Sequence, residues 1–355
     1  MAETRKLDDW TPLPAERKLA TEMSSGLIVK IGDGTLPPEN LPETDPRVLR
    51  TSFLRALILG QISDHPPHEK GVRVQGAYLL GDGPPVAETR GLDLEGCDLS
   101  SDLCLFNCRI PDLLLLRGAR LCSLFLDGSI LTGGMHADGL SARRGVFLRL
   151  VETQAEVRLV GTEITGNLEC DGARFLVGSR RAALLAASSS IGGSVFFRQT
   201  FTTAGVFQRQ RRRLEAKGRV ILRGAKIAGD VDCRGGRFTV EGGDAIGLDG
   251  AKVDGALFLL ETTEIKDCLD LTAAQIGILP DDPECWPRQQ GHLILNRFRF
   301  DSIVGDRAPT DATSRIRWLS LQDESRWVAD FWPQPWEECA RVLREMGHGM
   351  RRGRY

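Results

Sequence analysis

The feature that most constrains this 355-residue chain is a short apolar alternation that recurs through its middle. Leu92-Asp93-Leu94, Leu103-Cys104-Leu105, Leu114-Leu115-Leu116 and Leu124-Phe125-Leu126 begin 10 to 11 residues apart. An apolar period of two is typical of a β-strand, and small pairs such as Gly118-Ala119 mark corners between strands. The pattern predicts many short strands separated by tight turns.

A longer register joins these strands into repeats. The segment VRLVGTEITGNLECDGARF from Val157 aligns with VILRGAKIAGDVDCRGGRF from Val220, with glycine, isoleucine, cysteine and phenylalanine at matching positions. The segments around Val146, Val195 and Leu257 also align, which indicates superrepeats of about 49 residues, each of two coils, one of them lengthened by a surplus near residues 205–218.

Such a unit cannot bury its own apolar side chains, so its repetition implies stacking into one hydrophobic column. We therefore predict an all-β solenoid, a right-handed parallel β-helix. A helical solenoid would need apolar spacings of three and four, which the central region lacks.

Both ends of the chain change character, and an open β-helix needs its strand edges covered. Asp45-Pro46 and the apolar residues that follow predict a capping helix over about 46–59. Pro335 begins a second amphipathic helix that ends at Gly347. The expected organisation is an N-terminal cap and extended segment over 1–70, the β-helix over 71–305, and a helical cap with a basic tail over 306–355.

Composition limits the cellular compartments and the classes of partner that we expect for this chain. The formal net charge of -2 gives no overall nucleic-acid footprint, and nine cysteines without a C-x-x-C pair favour a reduced, cytoplasmic protein. We expect five of the cysteines to be small buried hydrophobes: Cys97, Cys108, Cys170, Cys233 and Cys268. The chain shows neither a signal-peptide core nor an apolar run that spans a bilayer.

The five-residue beats resemble pentapeptide-repeat proteins, whose coils are four-sided and some of which inhibit DNA gyrase by imitating DNA. A closer resemblance, carried by PHEKGVRVQGAYLLG (67–81), GAKIAGDVDCRGGRF (224–238) and GLDGAKVDGALFL (247–259), is to bacterial proteins often labelled membrane-associated oxidoreductases. Relatives of that group commonly continue from a helix like WEECARVLREMGH into a membrane span, whereas this sequence stops at Tyr355.

Catalytic motifs are absent from the sequence. Gly32-Asp33-Gly34 runs into proline and does not complete a dinucleotide fingerprint, and no nucleotide, zinc-hydrolase or serine-hydrolase motif occurs. We therefore predict no cofactor and no metal. The close pair His65 and His68 is interpreted as part of a solvated turn, and the tryptophans of the C-terminal region as packing of the terminal cap.

The most distinctive local feature is the basic insertion within one superrepeat. Its candidate binding residues are Arg209, Arg211, Arg212, Arg213 and Lys217. Insertions in repeat proteins form surface loops, and clustered guanidinium groups suit carboxylates or phosphates. The sequence favours a non-enzymatic recognition or scaffold protein that binds a protein or another acidic macromolecule.

Two alternatives from other classes stay open. One is an enzyme that acts on a glycan through carboxylates and arginines on one face, with Asp230, Asp232, Arg234, Arg237 and Asp249 as candidates; a deep groove lined by acids and arginines would favour it. The other is a gyrase-directed DNA mimic, which requires a strongly acidic surface along the rod.

Overall fold

The computed structural model describes residues 4–83, 90–178, 181–200, 212–322 and 332–348. The chain folds into a parallel β-solenoid of about eight turns, which confirms the predicted fold class. Leu124, Val146 and Leu168 lie in register on successive coils, so one coil takes 22 residues in this region. Here each coil has four sides of five or six residues, and each side adds a short strand to one of four faces.

The strands of each face stack in parallel along the solenoid. Face 1 contains Val29–Lys30, Val72–Gln75, Leu103–Phe106, Leu124–Phe125, Val146–Phe147, Leu168–Glu169, Val195–Phe196 and Val231–Asp232. Face 2 contains Val48–Arg50, Tyr78–Leu80, Arg109–Ile110, Ile130–Leu131, Glu152–Thr153, Arg174–Leu176 and Glu215–Lys217. Face 3 contains Leu114–Leu115, Met135–His136, Val157–Arg158, Ala182–Leu185, Arg219–Ile221 and Leu293–Ile294. Face 4 contains Arg120–Leu121, Ser141–Ala142, Glu163–Ile164, Ser190–Ile191, Lys226–Ile227, Gln275–Leu279 and Arg299–Ile303.

Three long strands turn a corner and belong to two faces each. Arg237–Gly247 and Glu264–Asp270 pass from face 2 to face 3, and Lys252–Phe258 passes from face 4 to face 1. Paired strands start upstream of residue 71, because Val29–Lys30 and Val48–Arg50 already pair with the next coil.

The corner between faces 3 and 4 shows why glycine recurs. Gly118, Gly161 and Gly224 occupy this corner with φ between 61° and 63°, where a side chain rarely fits. Space is not the constraint, because a Cβ at Gly118 or Gly161 would meet nothing within 4 Å. The repeated glycines therefore serve backbone conformation at the turn.

The predicted superrepeat of two coils is confirmed. Val157, Leu184 and Val220 lie on three successive coils of face 3. The two sequences that align are thus separated by one intervening coil. The surplus residues enter between Thr200, after face 1, and Glu215, where face 2 resumes, and residues 201–211 of this segment lie outside the described residues.

The interior is a continuous apolar column. Cys108, Cys170 and Cys233 are fully buried in it, Cys268 is buried, and Cys97 is half-buried. Burial raises the pKa of the Cys108 thiol to about 12, so this thiol is protonated and acts as a small hydrophobe. All nine cysteines are free thiols.

The N-terminal cap differs from the prediction. A helix α1 spans Pro14–Glu22, and the second helix, α2, spans Thr51–Ile58 and does not begin near residue 46. Val48–Arg50 forms a strand of face 2, because its backbone pairs with Tyr78–Leu80. Asp45 stabilises the turn before this strand by accepting the Arg47 backbone N–H at 2.9 Å. Short 3₁₀-helices span Leu7–Trp10, Met23–Ser25 and Pro283–Cys285.

The C-terminal cap contains α3, Ala312–Leu319, and α4, Gln334–Glu345, and the predicted helix at Pro335 is confirmed as α4. Trp318 of α3 is buried, with its ring centroid 6.4 Å from that of Trp286 and 6.3 Å from that of Phe300. Trp286 and Trp318 thus pack within the cap.

Helix α4 covers the open edge of the last strand through its side chains. Gln334 accepts the Arg297 N–H at 2.7 Å, and Glu338 accepts the Phe300 N–H at 3.3 Å. Arg341 donates to the Phe300 carbonyl at 2.9 Å. The helix therefore satisfies backbone groups that would otherwise be a template for a further strand.

Candidate functional site

The structure describes three of the five basic residues predicted to form a binding site. Arg209 and Arg211 lie outside the described residues. Lys217 is exposed on face 2 and pairs with Glu215 at 3.4 Å. Arg212 and Arg213 lie at the corner between faces 1 and 2, with side chains 25% and 30% exposed.

Arg212 and Arg213 bond to coils on opposite sides of the insertion. Arg212 donates to the carbonyls of Leu150 and Gly172 in the two preceding coils. Arg213 donates to the Gly235 carbonyl at 2.7 Å and the Thr262 carbonyl at 2.6 Å, in the two following coils. Burial lowers the pKa of Arg212. Arg212 and Arg213 together connect five coils. Most of the hydrogen bonds that they donate go to backbone carbonyls.

The outer side of face 2 is an alternating ladder of charge. Glu152, Arg174, Glu215, Arg237 and Glu264 lie in register on five successive coils. Arg174 bonds to Glu152 at 3.0 Å and lies 3.5 Å from Glu215, and Arg237 bonds to Glu264 at 2.9 Å. These charges neutralise one another within the chain.

Aromatic rings and arginines cover the outer side of face 1. The Phe125 and Phe147 rings stack with centroids 4.4 Å apart and planes 4° apart. The guanidinium carbon of Arg198 lies 4.0 Å from the centroid of Phe196. Stacking and cation–π contacts occupy the ring faces, so this row stabilises the coils.

Face 4 is different, because several of its polar side chains have no partner. Lys226, Lys252, Gln275 and Arg299 lie in register on four successive coils and are all exposed. Within the part of the chain that the structure describes, the side chains of Lys226, Gln275 and Arg299 form no hydrogen bond or ion pair. This row projects to solvent with its hydrogen-bonding groups unused.

A groove of about 930 Å³ lies between face 4 and α4. Lys252, Gln275 and Arg299 line its floor, and Arg341 and Arg344 line its wall. Its other polar lining residues are Asp254, Asp301, Gln334, Glu337 and Glu338. Gly277 lets neighbouring strands of the floor approach closely, since a Cβ there would come within 2.6 Å of the Asp254 carbonyl.

The acids and arginines proposed for a glycan-cleaving site do not share one face. Asp232 and Arg234 form an ion pair at 2.7 Å on face 1, and Asp230 accepts the Ala256 N–H at 2.8 Å. Arg237 belongs to the ladder of face 2, and Asp249 pairs with Arg223 at 2.6 Å at the corner between faces 3 and 4. A groove lined by acids and arginines, the feature that favours the enzyme alternative, is present, but its residues are others, around Arg299 and Glu337.

A second cavity, of about 730 Å³, lies where the loop from Pro280 to His292 adjoins Val240. His292 Nε2 lies 3.9 Å from Asp267 Oδ1. Asp267 accepts the Gly242 N–H at 2.7 Å, which holds its carboxylate in place. Gly242, Asp267 and His292 are about 25 residues apart in the sequence, so the sequence pattern did not predict this contact between neighbouring coils.

Of the histidine pair in the N-terminal region, His68 accepts the Lys70 N–H at 3.0 Å, and His65 lies 3.2 Å from its neighbour Asp64. Among the described residues, no three histidine, cysteine or acidic side chains are grouped so that they could hold a metal ion. None of the helices within the described ranges is long and apolar enough to cross a membrane.

Comparison of the chain with protein-family models, with curated proteins and with solved structures finds no significant match.

Proposed function

We propose that this protein is a non-enzymatic recognition protein, in which the solenoid is a rigid platform and face 4 binds another macromolecule. The observation that carries the proposal is the contrast between faces. The row from Glu152 to Glu264 on face 2 and the aromatic row of face 1 use their charges within the chain, whereas Lys226, Gln275 and Arg299 form a row on face 4 with unpartnered groups. From Arg120 to Arg299 the face covers seven steps of ~4.8 Å, or about 34 Å.

Rigidity supports this role. Strands that are bonded on both sides lose little conformational entropy on binding, so a preformed face keeps more of its contact energy as affinity. A row of exposed side chains at fixed spacing offers polar groups on successive coils. Ser190, Lys226 and Lys252, on three successive coils of this face, are all exposed and so accessible to a partner.

The test is affinity capture from a lysate of the organism that encodes the chain. The double variant Lys226→Glu/Arg299→Glu reverses two charges on face 4. The matched control Lys70→Glu/Arg317→Glu reverses two exposed charges elsewhere. A partner retained by the native protein and the control but lost by the face 4 variant supports the proposal; a partner retained by all three proteins contradicts it.

The insertion is tested separately. We also propose that Arg209 and Arg211 contribute to binding, as their sequence context suggests. Arg209→Ala/Arg211→Ala leaves the backbone contacts of Arg212 and Arg213 in place. Loss of a partner in this variant would place part of the interface at the insertion, and unchanged capture would remove the insertion from it.

A further inference from the structure

We propose that the groove between face 4 and α4 is a saccharide-binding site, whose ligand is an uncharged, polyhydroxylated chain. This inference rests on the proposed recognition role of face 4 and names the class of its partner. It is argued from the charge balance of the groove, from its lack of apolar anchors, and from the spacing of its floor.

The charges that line the groove balance. Among the lining residues that the structure describes, four are cationic and four are anionic: Lys252, Arg299, Arg341 and Arg344 against Asp254, Asp301, Glu337 and Glu338. A polyanion would meet four carboxylates, and a polycation would meet four positive charges. Neither an acidic peptide nor a nucleic acid is therefore complementary to the groove as a whole.

The described lining residues also lack the apolar and aromatic anchors of a protein interface. Its larger apolar side chains, Val253 and Ile276, are 1% and 3% exposed because they point into the solenoid. Binding hot spots between proteins are enriched in tryptophan, tyrosine and arginine set in desolvated pockets, and of these the described lining offers arginine alone; single-stranded nucleic acids stack on aromatic rings. No aromatic side chain is among the described residues that line this groove.

Donors and acceptors lie side by side along the groove. Lys252 Nζ lies 2.7 Å from Asp254 Oδ1, and Arg341 Nη2 lies 2.7 Å from Glu338 Oε1. A hydroxyl group both donates and accepts, so it can bond to the carboxylate and to the cation of such a pair. Gln275, between Lys252 and Arg299, adds an amide that offers both functions without charge.

The spacing suits a chain of sugar units. Lys252, Gln275 and Arg299 lie on three successive coils, and neighbouring coils are ~4.8 Å apart. This step is comparable to the length of one hexose unit, so successive units of a chain along the groove would each meet a hydrogen-bonding side chain of the floor. The wall also presents charged side chains at regular intervals, because Glu337, Arg341 and Arg344 lie one helical turn apart on one side of α4.

The experiment uses the full chain on an array of immobilised oligomers of glucose, galactose, mannose and N-acetylglucosamine, followed by calorimetric titration with the best binder. We expect Gln275→Ala/Asp301→Ala to weaken binding at least about tenfold, since two hydrogen-bonding side chains are removed. Gln289→Ala/Asp306→Ala, two exposed residues outside the groove, is the control and should bind like the native protein. Raising NaCl from about 50 to 500 mM should change the Kd less than about threefold, because no net charge is neutralised.

The same array carries sulfated oligosaccharides and polyglutamate as charged probes. The proposal is overturned if the folded protein binds none of the neutral oligomers, if both variants lose binding equally, or if only the charged probes bind and salt releases them. Circular dichroism verifies that each variant is folded. A protein that binds no oligomer but still captures a partner through Lys226 and Arg299 would retain the recognition function and overturn the saccharide ligand alone.

Discussion

The buried carboxylate of Asp127 gives a prediction whose magnitude follows from the structure. The side chain is 0% exposed and pairs with Arg149, and burial, only partly offset by that pair, raises its pKa from 3.8 to about 6. The folded state thus holds the proton more tightly than the unfolded chain does. The free energy of unfolding should therefore fall as pH rises from 3.8 through 6, by about 3 kcal/mol in total.

The perturbation is Asp127→Asn, which removes this titration. Linkage places about 1.4 kcal/mol of the loss between pH 5 and pH 7.5. The variant should therefore gain about 1.4 kcal/mol relative to the native protein over that interval. Arg149 keeps a second carboxylate, Glu169, at 3.5 Å, so the change does not leave it unpaired.

The assay is urea unfolding at the two pH values, followed by circular dichroism. Asp98→Asn is the matched control, since its side chain is 72% exposed and the same charge is removed. An Asp127→Asn variant whose stability follows pH in parallel with that of the native protein would refute the reasoning, as would an equal gain in the control.

Three further predictions concern the caps and the corner. Arg315→Ala should lower the free energy of unfolding by about 3–5 kcal/mol in urea titrations, because it leaves Asp281, 1% exposed and bonded to it at 2.7 Å, as an uncompensated buried charge; a loss below about 1 kcal/mol would contradict this. Arg213→Ala should lower the free energy of unfolding by about 1–3 kcal/mol, measured in the same way, because it leaves the Gly235 and Thr262 carbonyls without their donor. An unchanged unfolding midpoint would contradict the inference that Arg213 ties neighbouring coils together. Glu338→Ala should expose the edge of the last strand and increase self-association in size-exclusion chromatography with light scattering, and a variant that self-associates no more than the native protein at high concentration would count against the covering of this edge by α4.

Much of the fold could be predicted because the period of two and the corner glycines are local signals. Val157 and Val220 matched in sequence because they occupy the same place two coils apart. The start of α2 was missed because Val48–Arg50 is fixed by pairing with Tyr78–Leu80, a contact that local helix signals do not report. Helix α4 was found because its apolar spacing, Pro335 and Gly347 lie together in the sequence.

The candidate site was far less predictable. Lys226, Lys252, Gln275 and Arg299 are 23 to 26 residues apart, and coils of unequal length hide their common row. Clustering in sequence pointed to the insertion, but Arg212 and Arg213 bond to carbonyls that only the stacking of coils brings together. The clustering of arginines in the sequence predicted a surface free to bind a partner. In the structure, Arg212 and Arg213 instead bond to the backbone of neighbouring coils.

The central claim, that face 4 is the recognition surface, is tested most directly by photo-crosslinking. A photoreactive residue is placed at Ser190 on face 4 or at Lys217 on face 2, both exposed, and the protein is irradiated in a lysate of the organism that encodes it. The account predicts that the macromolecule found by affinity capture is crosslinked from Ser190 and is not crosslinked from Lys217. Crosslinking from Lys217 alone, or equally from both positions, would contradict it.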